Sequence, residues 1–410
     1  MNGATRRDLL AGAAVGATAL LGATAVRAAD QVPEPSRAPG VGGSDPVPGD
    51  VAREAQNPDL LNPPATDSGT LPNLRFSFAD AHVRQSSGGW TRQVTARELG
   101  VSKAIAGVNM RLNAGGVREL HWHKQAEWAY MLYGTARITA IDPQGRNFVD
   151  DVGVGDLWYF AGGIPHSIQG LGTDGCEFLL VFDEGAFSED DTFLLSEFAV
   201  HTPPEIIQKN MGWSREQFDK LPQTQLYIFE APLPDSLEVE RRFLGKYLDT
   251  ENKYTFKMAA MAPTQKNDGG EARIVDSTVF PVSKGIAAAM VTLKPGAIRE
   301  MHWHPNVSEW QYWIRGKGRM TVVTTDARAR TVDFNANDVG FVPSMAGHYI
   351  ENTGTEDLVF LEMFKSTRYQ DVSLNQWIAR MPDKMAQAHL KLATSVIRSA
   401  PQDKSVILPK

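Results

Sequence analysis

The feature that most constrains this chain is a repeat. Arg118-Glu119-Leu120-His121-Trp122-His123 returns as Arg299-Glu300-Met301-His302-Trp303-His304, 181 residues later. Glu127-Trp128 returns as Glu309-Trp310, Gly134 as Gly316, Asp156 as Asp338 and His166 as His348, each 182 residues later. One residue has therefore been inserted between the second histidine and the glutamate. Two copies in the same order do not arise by chance, so the chain is a tandem duplication of a unit of roughly 150 residues, a common domain size.

Each unit reads as strands. Ala136 to Ile141 and Arg319 to Val323 alternate or run apolar, with turn clusters at Asp142-Pro-Gln-Gly145 and Thr353-Gly-Thr355 between such runs. Helical signals are confined to the joints. A capping box spans Ser214 to Gln217, and a tail places Ile378, Met381, Met385, Leu392 and Val396 on one helical face. The pattern predicts an all-β protein, two antiparallel barrels or jelly rolls with a few helices at the seams.

The ends follow a different logic. Arg6-Arg7 precede an Ala/Gly-rich apolar run from Leu9 to about Val26 that ends in small residues at Ala28-Ala29. Residues 1–29 read as a twin-arginine export signal, too short and weakly apolar for a membrane anchor and lost on cleavage, so the expected location is periplasmic or secreted. Residues 30–74, rich in Pro, Gly, Ser and Asp, read as an extended arm or linker. The first repeat unit is placed at 75–235 and the second, with C-terminal helices, at 236–410. With 41 Lys plus Arg against 48 Asp plus Glu, a net charge of −7 and no long basic run, nucleic acid is not an expected partner. The single cysteine, Cys176, has no disulfide partner in the chain and reads as a small buried hydrophobe.

Six of the nine histidines sit in the repeat. Residues two apart on a strand share a face, so His121 with His123, and His302 with His304, present paired imidazoles to one side, expected to be the barrel interior. Glu127 keeps the parity of the pair and Glu309 breaks it, so a turn is expected between the histidines and the glutamate in both copies. His166 and His348 arrive about forty residues on. Three imidazole nitrogens and one carboxylate oxygen form a mixed site that leaves two adjacent positions open on an octahedral metal. His82, His201 and His389 have no repeat partner and read as structural or solvated.

The series Gly115, His121-x-His123, Glu127, Gly134 matches the first cupin motif at every position, and the chain resembles a bicupin. The runs Ala106 to Leu112, Gly155 to Phe160 and Ile164 to Gln169 resemble bacterial oxalate decarboxylases, a likeness extending from about Leu71 to Ala393. In the looser second motif Ala161 and Gly170 replace Pro and Asn, and Asn337 and Met345 replace two glycines. The resemblance implies two tandem cupin barrels with manganese in both, dioxygen as a cofactor that is not consumed, oxalate as the substrate giving formate and carbon dioxide, and a homo-oligomer, trimer or hexamer.

Arg118 and Arg299, three residues before the first histidine of each pair, are the expected oxalate clamps, because a guanidinium fork matches a carboxylate. They lie at the wrong parity for a straight strand, so a twist or bulge is expected there. Phe187-Ser188-Glu189-Asp190-Asp191-Thr192 resembles the family's lid, with Glu189 as proton donor and Asp190-Asp191 where the family has Asn and Ser. Copy two lacks that lid but carries Glu362 where copy one has Leu180, and by resemblance Glu362 would be a second-site acid. Copy one is expected to be the main catalytic centre, and Trp122 and Trp303 to face away from the metal. The alternatives are an oxalate oxidase, yielding hydrogen peroxide and two carbon dioxide molecules, and a non-catalytic manganese-storing bicupin.

Overall fold

A computed structural model of the protein describes residues 51–249 and 251–410. The twin-arginine segment and the arm up to residue 50 lie outside these residues. Within the stretch read as an extended arm, residues 51–61 carry two short helices, Val51–Gln56 and Pro58–Leu61. Asn57 separates them, its Nδ2 donating to Arg53 O at 3.2 Å. Pro58 opens the second helix, where its missing N–H costs nothing.

Residues 62–410 form one unit that holds both copies. In copy one a 12-stranded sheet folds into a nearly closed barrel through the long strand Glu127–Ile141. Its first half pairs with Leu157–Phe160 and Cys176–Phe182, its second half with Asn147–Gly153 and His166–Gly170. The hinge between the halves is Gly134 at φ 71°, where an added Cβ would meet the Gly175 carbonyl at 2.1 Å. Only glycine fits there. In copy two the same path breaks at Gly316 into Glu309–Arg315 and Lys317–Val323, giving a 7-stranded and a 6-stranded sheet.

The copies exchange their first strands. Arg75–Ser77 pairs with Asp338–Val342 of the second barrel, and Thr255–Phe256 pairs with Leu157–Phe160 of the first. A cut at 235/236 therefore divides the sequence but not the sheets. Residues 62–74 also lie along the second barrel: Asp67 accepts from Thr331 N and Oγ1, and Phe341 N donates to Leu74 O.

Two apolar cores follow. One fills the first barrel around Met110, Ile138, Phe178 and Leu180. The other runs through the second barrel and the seam, and includes Trp128 and Trp310, both buried. The repeated Glu-Trp pair thus sends its two side chains to opposite faces of one strand, glutamate into the barrel and tryptophan into the seam. Gly107 is small because Trp310 occupies the space its Cβ would take, 2.6 Å away. Cys176 is free and buried.

The capping box forms as read, with Ser214 Oγ accepting from Gln217 N and Gln217 Oε1 from Ser214 N. The tail departs from its reading. It is three short helices, Leu374–Arg380, Asp383–Leu390 and Thr394–Arg398, because Pro382 stops the first and Lys391, left-handed at φ 56°, stops the second. Ala379, Ala386 and Ile397 are the buried positions, while Met385, Leu392 and Val396 are about half exposed. At the second-motif turns Asn337 (φ 71°) and Met345 (φ 65°) hold the left-handed conformations that glycine would adopt without strain.

Candidate metal centres and active site

The interior of each barrel gathers its four expected ligands. His121, His123, Glu127 and His166 form one group and His302, His304, Glu309 and His348 the other. All eight are buried, and within each group the candidate ligand atoms lie within 4.8 Å of one another. The turn expected between histidine and glutamate is present in both: the first histidine of each pair lies on a strand ending at Trp122 or Trp303, the second follows that end, and each glutamate opens the next strand.

Every imidazole is oriented the same way. His121, His123 and His166 turn Nδ1 to the carbonyls of Glu119, Gln125 and Ile164 at 2.5, 2.8 and 2.8 Å. His302, His304 and His348 turn theirs to Glu300, Gln370 and Ala346 at 2.7, 2.7 and 3.1 Å. A carbonyl only accepts, so Nδ1 carries the proton and Nε2 keeps a lone pair aimed inward. The Nε2 atoms of His166, His302 and His304 are buried without a hydrogen-bond partner. His304 Nε2 lies 2.9 Å from Glu309 Oε2, but off the direction a hydrogen bond needs. Orphaned inward lone pairs beside a carboxylate are what a divalent cation requires, and none of the described residues satisfies them.

Electrostatics keep the set ready to ligate. Burial pushes His121 and His302 well down, with Arg118 and Arg299 acting in the same direction, so these imidazoles stay neutral. Burial pushes Glu127 and Glu309 up, but the neighbouring imidazoles outweigh it and hold both carboxyls well below the usual range. The outer oxygens are fixed differently. Trp158 Nε1 donates to Glu127 Oε1 at 2.9 Å, and Gln311 Nε2 to Glu309 Oε1 at 2.6 Å. Gly340, the counterpart of Trp158, leaves the room Gln311 uses: a Cβ there would sit 2.3 Å from Gln311 Oε1.

The expected bulge is present in both copies. Pairing of Val117–Trp122 with His166–Gly170 slips between Arg118 and His121, and pairing of Ile298–Trp303 with Gly347–Asn352 slips between Arg299 and His302. The slip cancels the parity mismatch and brings both arginines to the ligand face.

There the two copies part. Arg118 is buried, donates from Nη1 to Tyr227 O at 3.2 Å and lies over the Tyr227 ring at 4.5 Å, with no described carboxylate in ion-pair contact. Glu119 does not pair with it and instead accepts from Ser196 N, Leu226 N and Tyr227 N. Arg299, expected as a second clamp, makes four hydrogen bonds within the protein, two of them to carboxylates. It donates to Glu362 Oε1 at 3.2 Å, Tyr369 Oη and Asp371 Oδ2 at 2.7 Å each, and Val406 O at 3.3 Å. Burial works against its charge, but Tyr369 and Glu362 hold it protonated. Glu362, expected as a second acid, is the fully buried partner in this network, with Tyr369 Oη donating to its other oxygen at 3.4 Å. Burial raises it, with Arg299 opposing. Lys404 of the C-terminal tail pairs with Asp371 and completes the seal.

The lid of copy one is a single 3-10 turn, Glu189–Asp191, capped by Ser188. Thr91 Oγ1 donates to Glu189 Oε2 at 2.8 Å and lies 2.8 Å from Tyr227 Oη. One hydroxyl proton goes to Glu189, so Tyr227 donates to Thr91. Glu189 is thereby linked through Thr91 to the ring on which Arg118 rests. Phe182 and Phe187 stack at 3.6 Å, each edge-on to His123, and form an apolar wall. Thr91, Trp158 and Tyr227 belong to the site without a signal in the repeat. Trp122 faces away from the ligands, stacked on Phe193 at 5.5 Å, and Trp303 meets Trp377 edge-on at 5.6 Å.

The sequence model of the cupin family matches residues 77–219 and 256–398. The chain belongs to the cupin family, as a bicupin. The bicupin is 50% identical over 381 residues to oxalate decarboxylase OxdC of Bacillus subtilis (strain 168), covering 93% of this chain and 98% of that one. A probable oxalate decarboxylase of Arthroderma benhamiae is 41% identical, covering 85% and 88%. A solved structure of the Bacillus subtilis enzyme concerned with its Mn(II) centres superposes with a TM-score of 0.88 at 50% identity, covering 92% of the bicupin and 100% of that chain. Another, at pH 4.6, gives 0.87 at 51% identity, covering 92% and 98%.

Proposed function

We propose that this bicupin is a manganese-dependent oxalate decarboxylase, converting oxalate and one proton to formate and carbon dioxide, with dioxygen required but not consumed. The observation that carries the reading is the contrast between the arginines: among the described residues Arg118 has no anionic partner beside a complete ligand group, whereas Arg299 has two. Manganese bound by the three imidazoles and the carboxylate would supply Lewis acidity and one-electron chemistry with dioxygen. The residues of copy one do the rest. The Arg118 fork takes the dianion, a planar match that a point charge lacks. The Phe182–Phe187 wall limits water. Glu189, on the lid, delivers the proton to the carbon that becomes formate. Copy two, with Arg299 neutralised and sealed beneath the tail, is assigned a supporting role.

Export of the folded protein by the twin-arginine route is part of this reading, resting on Arg6-Arg7 and the apolar run after them. A homo-oligomer is supported by exposed apolar side chains around the outward tryptophans, Phe193, Phe198, Met301 and Trp377. The test is to incubate metal-replete protein with oxalate in air at mildly acidic pH and quantify formate, peroxide and metal together. Formate near one per oxalate supports the reading. Peroxide with little formate would assign an oxidase, and neither product would assign a storage protein.

A further inference from the structure

The lid carries aspartate at a position where the oxalate decarboxylase pattern has asparagine, and the structure gives that charge a partner. Asp190 Oδ1 pairs with Arg84 Nη1 at 2.9 Å, although Asp190 itself is largely exposed. Arg84 is already held on its other sides. Its guanidinium lies 3.6 Å above the Tyr227 ring, and Nη2 donates to Gln225 Oε1 at 3.3 Å. A fixed cation loses little freedom when it binds an anion, so the lid meets a prepared anchor. One residue earlier, Glu189 is held by Thr91, whose side chain is fully buried. Both attachments converge on Tyr227, the ring under Arg118.

We propose that Arg84 and Thr91 are positioning residues of the lid, the Arg84–Asp190 ion pair and the Thr91–Glu189 hydrogen bond together seating the turn with its glutamate directed toward the Arg118 side of the site. The inference rests on the decarboxylase reading for its consequence, but the seating of the lid on Arg84 and Thr91 stands apart from it. A lid that leaves its seat admits water and withdraws the proton donor, so turnover shifts from formate toward peroxide. The ion pair is partly exposed, and its loss should change lid opening about two- to five-fold. The buried threonine bond accepts at a carboxylate, and its loss should change opening about ten-fold or more.

The experiment measures amide hydrogen exchange across residues 186–193, and the formate to peroxide ratio, in metal-replete wild type, Asp190→Asn, Arg84→Gln, their double variant, Thr91→Val and Thr91→Ser. Each single charge variant should speed lid exchange and raise the peroxide share, and the double variant should be no worse than either single, because one interaction is removed only once. Thr91→Val should do more, and Thr91→Ser, which keeps the hydroxyl, should restore wild-type exchange. Unchanged exchange in the charge variants, or strictly additive effects in the double variant, would overturn the proposal. Wild type that makes no formate would instead overturn the decarboxylase reading, with the exchange rates still deciding whether the lid is seated this way.

Discussion

Replacing arginine by lysine at the two equivalent positions should give opposite phenotypes. Arg118→Lys keeps a charge in the pocket and loses one prong of the fork toward oxalate. A hydrogen bond to a charged group is worth about 1.5–3 kcal/mol, so kcat/KM should fall about 10- to 150-fold, with KM raised and kcat lowered. Among the described residues no carboxylate pairs with Arg118, so Tm should hardly move. Arg299→Lys asks one ammonium to replace a fork that holds Glu362, Asp371, Tyr369 and the Val406 carbonyl. Asp371 keeps Lys404, but the fully buried Glu362 loses the guanidinium that holds it, at a cost of about 3–5 kcal/mol. Tm should drop by several degrees and the tail around Val406 should become protease-sensitive, while kcat/KM changes far less than in Arg118→Lys. Steady-state kinetics with formate detection and calorimetry on both metal-replete variants check this. Wild-type kinetics in Arg118→Lys, with a kinetic defect and unchanged Tm in Arg299→Lys, would refute the assignment of catalysis to copy one.

Three further outcomes are expected. Glu189→Gln should abolish formate while manganese stays bound, with residual turnover yielding peroxide; formate output equal to wild type would remove Glu189 from the reaction. Trp158→Phe removes the hydrogen bond that orients Glu127, and should weaken metal affinity about 10- to 100-fold at copy one while copy two, which uses Gln311, is unaffected, as read by site-resolved metal titration. Divalent first-row metals compete in an order that puts manganese last, so replacing residues 1–29 with a signal for unfolded export should load copper or zinc instead; equal manganese in the purified periplasmic protein would argue against folding before export as the means of selection.

The repeat made most of the metal chemistry legible. Duplication at fixed spacing marks His121, His123, Glu127, His166 and their counterparts, because ligands must keep their order and parity to meet inside a barrel. Even the bulge at Arg118 was readable, since an arginine three residues from a ligand cannot share its face on a straight strand. The tail shows where periodicity misleads: Pro382 and a left-handed Lys391 divide an apolar stripe into three helices, so its members could not share one buried face. What only tertiary structure decided is what surrounds the duplicated residues. Arg118 and Arg299 occupy the same place in the same motif, yet one meets Tyr227 and the other Glu362 and Asp371, brought in by segments more than sixty residues away. The exchange of first strands, and the seating of the lid on Thr91 and Arg84, arise likewise from contacts distant in sequence. Local pattern fixes which side chains face inward, because that depends on backbone geometry; which charges remain unpaired depends on every element that packs against them.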